Sequence, residues 1–458
     1  MWDFKVQGTE KKARYRIIAD ALERDILSGE LAPGARLMTH RELAAKTGVT
    51  VSTVTRAYAE AEKRGLVKTM VGRGTFVLEH GLHTSTAQDS WAGTVVELGV
   101  AMPLPSEEPS IKPLLQKVVL EGDVDALVKS FAPLGYHEHR EIGARWLRRA
   151  GVAATAESVL ITNGHQHSLV SIFCSLFEPG DSIAVDYLTN PGFKTLVQRG
   201  GLELAGVMID EDGMVPEALD ALCKTTPIRG IYMTGNVQNP SAKPIPPDRR
   251  KALCNIIDRH KLILVEDGTF NVMDTHRDRT LSSLLPDSSV YFTSASSAIY
   301  AGLRVAFVHA PVKFHNRIAQ AIVANVWTVA PLCVSLMCEA FASGIVEKTL
   351  KKKQKEMERR VALLQDTLGD FTVTCSDQTI YAWLFLPSPW SSRDFEQEAE
   401  KNGVRVLSAD RFVVGMHPAP NCVRLAFTGP SEISTLKKGL DILVSILKKE
   451  GGIISPIW

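Results

Sequence analysis

Residues 293–304, Thr293-Ser-Ala-Ser-Ser-Ala-Ile-Tyr-Ala-Gly-Leu-Arg304, are a run of small and hydroxyl-bearing side chains set between two apolar segments. Ser289, Val290, Tyr291 and Phe292 stand before it, and residues 305–308 after it are apolar again, followed by His309. A small-residue turn joining two such runs predicts two buried strands, with the turn closing on Arg304. The pattern recurs upstream at residues 159–162, 182–185, 230–233 and 262–265, with helical periodicity between the runs. Continuous rather than alternating apolar strands predict a buried, mostly parallel α/β sheet. Downstream, a long amphipathic stretch (335–368), alternating strands near 381–386 and 423–427, and a last helix over 432–449 predict a smaller α+β domain. The basic run 351–360 (Lys-Lys-Lys-Gln-Lys-Glu-Met-Glu-Arg-Arg) reads as a solvated helix face.

A chain of 458 residues with 45% hydrophobic and 22% charged side chains is long enough for two or three domains with a sizeable core. The net charge of +1 argues against a nucleic-acid or membrane binder along the whole length. Residues 1–78, however, carry 14 Lys and Arg against 9 Asp and Glu, leaving 38 against 42 for the remainder. The seven cysteines are scattered and never spaced Cys-x-x-Cys, so the reading expects reduced thiols, no metal site and a soluble cytoplasmic protein. No apolar run approaches the roughly 20 residues needed to span a bilayer, so no membrane partner is expected.

The basic N-terminal part has its own organisation. Ile17, Ile18, Leu22, Ile26 and Leu27 recur at helical spacing, and Gly29 ends that helix. Thr39-His-Arg-Glu42 has the form of a capping box that opens a second helix, closed by Gly48. Thr50 or Ser52 caps a third helix running to Arg64, with Val54, Tyr58 and Ala61 on one face and Ser52, Thr53, Thr55 and Arg56 on the other. Two short helices joined by a glycine turn, the second with a hydroxyl-rich start, form a helix-turn-helix pattern whose second helix enters a DNA major groove. Residues 66–70 and 75–78 around Val71-Gly-Arg-Gly74 read as a hairpin presenting Arg73. Residues 79–93 are polar and without period, a flexible joint.

Several strand ends in the longer part carry binding chemistry, where an open α/β sheet takes its ligand. Thr162-Asn-Gly-His-Gln-His167 opens a helix whose free amides suit a phosphate. Asn239, in Gln238-Asn-Pro-Ser-Ala242, offers a donor to a phenolate-like oxygen. Asp267 ends a strand, where its carboxylate suits a protonated ring nitrogen. Ser294, Ser296 and Arg304 add hydroxyls and a guanidinium for a phosphate, and Arg424 suits a carboxylate.

Residues 29–37 (Gly-Glu-Leu-Ala-Pro-Gly-Ala-Arg-Leu), Arg41-Glu-Leu-Ala-Ala45, Gly48-Val-Thr-Val-Ser-Thr-Val54 and Gly72-Arg-Gly-Thr-Phe-Val77 resemble the winged helix of GntR-type regulators. The order of the strand-end residues resembles the fold-type I, pyridoxal phosphate (PLP) dependent aminotransferase body. Head and body together resemble the MocR subfamily of those regulators. The resemblance implies a winged helix-turn-helix domain (1–78), a linker (79–94), a large parallel-sheet α/β domain (95–330) and a small C-terminal α+β domain (331–458). It implies double-stranded operator DNA contacted by Arg41, Thr50, Ser52, Thr53 and the Gly72-Arg73 turn, with Arg56 beside them. It also implies a homodimer and a small-molecule effector. In the body, Gly164, His165, Gln166, Ser294 and Arg304 would meet a phosphate, Asn239 the cofactor O3′, Asp267 its ring nitrogen and Arg424 an amino or keto acid.

Departures from the pattern matter as much. Ser297 stands where the family has the lysine that joins PLP covalently. Asn190 stands in place of a stacking aromatic residue, Thr269 in place of a tyrosine, and Val51 where many relatives have arginine. A serine offers no amine for covalent attachment or proton transfer, so no catalytic residue is expected. The reading that follows is a DNA-binding regulator whose body binds PLP, a PLP–amino acid adduct or an amino or keto acid non-covalently. A ligand-free dimerisation body and a working aminotransferase using Lys194 or Lys243 are the alternatives.

Overall fold

The computed structural model describes residues 13–448 except 28–30, 32–34, 64–65, 71–73, 78–94, 105–106, 130–131, 236–237, 243, 270–279, 376–379 and 416. Gly72, Arg73, the expected joint and Lys243 therefore lie outside the described residues. The chain divides into two compact units, residues 1–87 and 88–458.

In the first unit α1 (Arg14–Leu27), α2 (His40–Thr47) and α3 (Val51–Lys63) precede an antiparallel pair, β1 (Val67–Met70) and β2 (Gly74–Val77). The Thr39 hydroxyl accepts from the Glu42 amide while the Glu42 carboxylate accepts from the Thr39 amide, the reciprocal bonds of a capping box. Gly48, at φ +65°, ends α2 in the left-handed region that glycine adopts without a Cβ penalty. Leu22, Leu43, Val54, Ala57, Tyr58 and Val77 form the core of this unit. A bridge from Arg36 to Phe76 adds residues 35–37 to the edge of the hairpin.

The second unit is built on a seven-stranded sheet of β3 (Val159–Thr162), β4 (Ser182–Asp186), β5 (Glu203–Val207), β6 (Ile228–Thr234), β7 (Ile263–Asp267), β8 (Ser289–Ser294) and β9 (Ala306–His309), in the order β3-β9-β8-β7-β6-β4-β5. β9 runs antiparallel to both its neighbours and the other pairings are parallel. Helices α4 (Gly164–Leu176) and α5 (Pro191–Arg199) follow β3 and β4. α6 (Pro331–Ala342) and α7 (Ile345–Thr367) then lead to a four-stranded antiparallel sheet of β10 (Val373–Cys375), β11 (Tyr381–Phe385), β12 (Leu407–Ser408) and β13 (Cys422–Ala426), in the order β10-β11-β13-β12. α8 (Ile433–Lys448) packs against α7 over this small lobe.

Three expectations are corrected by the packing. The stretch 335–368 is two helices, broken where Gly344 turns at φ +71°. The lobe boundary does not fall at 330/331. α6 is apolar on nearly all sides, and Val334, Leu336 and Met337 join the core that holds Trp146 and Phe307 of the large lobe. Val96 and Leu98 instead enter the small-lobe core, because Val96–Glu97 pairs with Val404–Arg405. Finally, the run 351–360 is not one solvated face. Lys353 and Arg360 lie seven residues apart, hence on one side of α7, and both are fully buried.

Each of these two cations is matched by acceptors. Lys353 Nζ donates to Glu108 (2.8 Å) and to the Ala298 carbonyl (2.9 Å). Arg360 bonds Glu356 and donates to the carbonyls of Phe427 (3.0 Å), Pro430 (2.6 Å) and Ser431 (2.7 Å), the turn before α8. Truncation would strand those carbonyls in the core. R360A is therefore expected to lose about 3–5 kcal/mol in denaturant titration of the full chain. R359A, on the exposed side, should change stability by no more than about 0.5 kcal/mol.

Candidate functional site

In the first unit the start of α3 is shaped by Thr50. Its hydroxyl accepts from the Thr53 amide (3.3 Å) and bonds the hydroxyls of Ser52 (3.0 Å) and Thr53 (2.8 Å). Arg41, Thr50, Ser52 and Arg56 are exposed and Thr53 is half-buried. The Arg56 guanidinium lies 4.8 Å from the Tyr15 ring centroid, a cation–π contact that orients it. Val51, at the first position of α3, is 46% exposed, an apolar side chain where solvent or a base methyl would meet it.

In the second unit the chemistry gathers at the carboxyl ends of β3, β4, β6, β7 and β8. Asp267 ends β7 with its side chain wholly buried. Its Oδ2 accepts from His165 Nε2 (2.6 Å) and from the Tyr232 hydroxyl (2.9 Å), and its Oδ1 accepts from the Thr269 amide (3.0 Å). Burial alone would raise the pKa of this carboxyl. The charge and hydrogen bond of His165, with the bonds from Thr269, outweigh burial and hold it below its ordinary value. Asp267 is thus an anion held by three donors.

The other side of the site is a helix start. Gly164 opens α4 at φ +76°; the Asn163 amide before it donates to His167 Nδ1 (2.9 Å), and the Asn163 side chain makes no cap bond to the amides that follow. A Cβ at position 164 would come within 2.5 Å of Arg304 Nη2, so glycine is what lets that guanidinium lie over the helix start. Arg304 itself (φ +53°) and Tyr300 (φ +51°) both occupy the left-handed region. For such side chains this costs about 1–2 kcal/mol each and is kept only where the surroundings enforce it. Ser296 does part of that, its hydroxyl accepting from the Val305 amide (2.8 Å). Amides, dipole and guanidinium together form a cradle for a phosphate-sized anion.

Between the lobes, Arg424 on β13 is buried and donates to Asn239 Oδ1 (2.9 Å) and to the Gly99 carbonyl (2.6 Å). Its guanidinium lies between the rings of Tyr381 and Phe412, at 4.6 and 4.9 Å. Its Nε has no partner among the described residues, a free donor in a buried place.

The residues singled out in the sequence are not all turned to one ligand. Asn190 caps α5, its Oδ1 accepting from the Gly192 amide (2.8 Å). Ser297 donates to the carbonyls of Ser294 and Thr269, the latter at 3.0 Å. Lys194 Nζ is spent on the carbonyls of Arg411 (3.1 Å) and Val413 (2.6 Å). Sequence reasoning missed Tyr232, an aromatic hydroxyl inside an apolar strand beside β7, and also missed Asp186. Asp186 ends β4 buried, with Oδ2 accepting from Gln238 (3.3 Å) and Oδ1 without a partner among the described residues.

These residues test the fit of PLP directly. The cradle at Gly164 and Arg304 fits its phosphate. The ring end does not fit in this arrangement, because Asp267 has three of its roughly four acceptor positions taken and the His165 imidazole spans from the cradle to the carboxylate. Among the described residues no group of His, Cys, Asp and Glu could hold a metal ion, and no helix is long and apolar enough to cross a membrane.

Comparison with known proteins agrees with both units. Residues 14–77 match the family model of bacterial regulatory proteins of the gntR family, and residues 109–440 match that of aminotransferase class I and II. An HTH-type transcriptional regulator of Bacillus subtilis (strain 168), YdeF, is 30% identical over 97% of this chain and 96% of its own. The vitamin B6 salvage pathway transcriptional repressor PtsJ of Salmonella typhimurium is 23% identical over 92% of this chain and 96% of its own. Among solved structures, an archaeal alanine:glyoxylate aminotransferase matches with a TM-score of 0.74 at 20% identity, over 86% of this chain and all of that one. The α-aminoadipate aminotransferase LysN of Thermus thermophilus matches at 0.69 and 20%, over 79% of this chain and 96% of that one. The fold is that of PLP aminotransferases, joined to a gntR-type head.

Burial pushes the Asp186 carboxyl up to about 7 from an ordinary 3.8. The folded chain therefore keeps a proton that the unfolded chain loses above about pH 4, and this group destabilises the fold progressively as pH rises from about 4 to about 7. D186N is expected to gain stability relative to the parent across that window, by up to roughly 4 kcal/mol, and to run parallel to it above the window. Denaturant midpoints of both proteins from pH 4 to 8 check this; a constant difference would contradict it.

Proposed function

Because the chain belongs to the gntR-type transcriptional regulators that carry a class I and II aminotransferase domain, we propose that its body senses a small molecule without covalent chemistry while its winged helix binds operator DNA. The reading is carried by two observations taken together, the bonds of Ser297 and the buried carboxylate of Asp267. By the resemblance, Ser297 stands where the family has its PLP lysine, and its hydroxyl is spent on backbone carbonyls. The carboxylate at the strand end, the phosphate cradle and the buried Arg424 are nonetheless all kept. PLP, when bound to an aminotransferase, supplies an electron sink that works through a lysine amine, and a serine has none to offer. The body therefore turns nothing over.

The ligand class follows from the donors present: a small anion with a phosphate for the amides at Gly164 and for Arg304, or a carboxylate for Arg424. Arg424 is already joined to Asn239 of the large lobe, so a ligand that displaces Asn239 from Arg424 remakes a contact between the lobes. In a homodimer such a movement alters the spacing of the paired heads, to the extent that the ligand prefers one lobe arrangement over the other. The mutual pairing of the strand-end residues favours as a second reading a ligand-free dimerisation body. Heat and thermal shift with phosphate compounds decide between the two.

DNA binding is tested by footprinting and mobility shift on the region upstream of the protein's own gene. A sequence-dependent, salt-sensitive footprint is expected. R41A should weaken binding to specific and non-specific DNA alike and reduce the salt slope by about 1. Binding that ignores both sequence and salt would contradict the proposal.

A further inference from the structure

We propose that His165 decides which ligands the body accepts, by standing in for the ring of a pyridine-type ligand as the donor to Asp267. The inference rests on the reading of the body as a ligand pocket. His165 is the second residue of α4, so its backbone belongs to the phosphate cradle, while its Nε2 reaches Asp267 Oδ2 at 2.6 Å. One side chain thus bridges the two ends that a phosphate-bearing pyridine ligand would also have to bridge. The imidazole is packed from the side by Phe292, its ring centroid 5.5 Å away, and its side chain is 14% exposed. It is held in place, yet it is reachable from solvent.

Asp267 explains why this contact is firm. A wholly buried carboxylate must keep its donors, and Tyr232 and Thr269 supply the other two. An incoming ring nitrogen that approaches Oδ2 therefore competes with His165, since that oxygen already accepts from His165 and Tyr232. It gains only the difference between two similar hydrogen bonds and must also move the imidazole away. A phosphate compound without a basic ring meets no such competitor, since it needs only the amides at Gly164 and Arg304. The resting site therefore selects small phosphate-bearing anions and discriminates against free PLP. Removing the imidazole leaves Asp267 short of a donor, and a pyridine ring can restore it.

The test uses the full chain and PLP itself, titrated by absorbance of the unreduced chromophore, with inorganic phosphate followed by thermal shift. H165A should bind PLP at least about tenfold more tightly than the parent protein, which is about 1.4 kcal/mol. H165S, a second way of removing the ring, should do the same and covers the case in which H165A folds poorly. D267N removes the negative charge that both rings use, so it should show no gain. The shift with inorganic phosphate should persist in H165A. Equal PLP affinity in the parent and both His165 variants overturns the inference while leaving the sensor reading standing. If no variant binds PLP and no protein responds to phosphate, both fall together.

Discussion

Asp267 is the constraint around which the body is arranged. A carboxylate at the end of a central strand, with its side chain wholly buried, is tolerated only when several donors converge on it. Three elements supply them: α4 through His165, β6 through Tyr232 and the loop after β7 through Thr269. Their agreement fixes how the helix start sits over the sheet, and with it the position of Gly164 beneath Arg304.

Several polar groups around it are engaged within the protein itself. Arg424 holds Asn239, Asn190 caps its own helix, and Ser297 answers backbone carbonyls. Several of these contacts cross between the lobes. Lys194 reaches the carbonyls of Arg411 and Val413, and the Thr189 amide donates to the Phe412 carbonyl (2.9 Å). A ligand entering here exchanges internal contacts for its own, so its binding energy is tied to the lobe arrangement. In the proposed sensor, that exchange is what would couple the ligand to the lobe arrangement.

Much of the fold was legible in the sequence because its signals are local. Continuous apolar runs marked β3, β4, β6, β7, β8 and β9, and Thr39 with Glu42 announced α2 through a capping box. Of the residues singled out at strand ends, Asp267 and Ser294 do end their strands, and Gly164 opens the helix after β3. What could not be read is what depends on partners far away in the chain. Lys353 and Arg360 look like solvent charges until Ala298, Glu108 and the turn at residues 427–431 are brought against α7. The tie from Arg424 to Asn239 joins residues 185 positions apart, and the donation of His165 to Asp267 joins residues 102 apart. The edge strand β5, with half-buried residues and a glycine, lacks the continuous apolar run that marked its neighbours.

The central claim is that this body binds without forming a covalent bond to its ligand. The most direct measurement is the intact mass of the full chain after saturating PLP and borohydride, with peptide mapping of any adduct. The account predicts no lysine carrying a stoichiometric phosphopyridoxyl group. A single lysine modified to completion would contradict it.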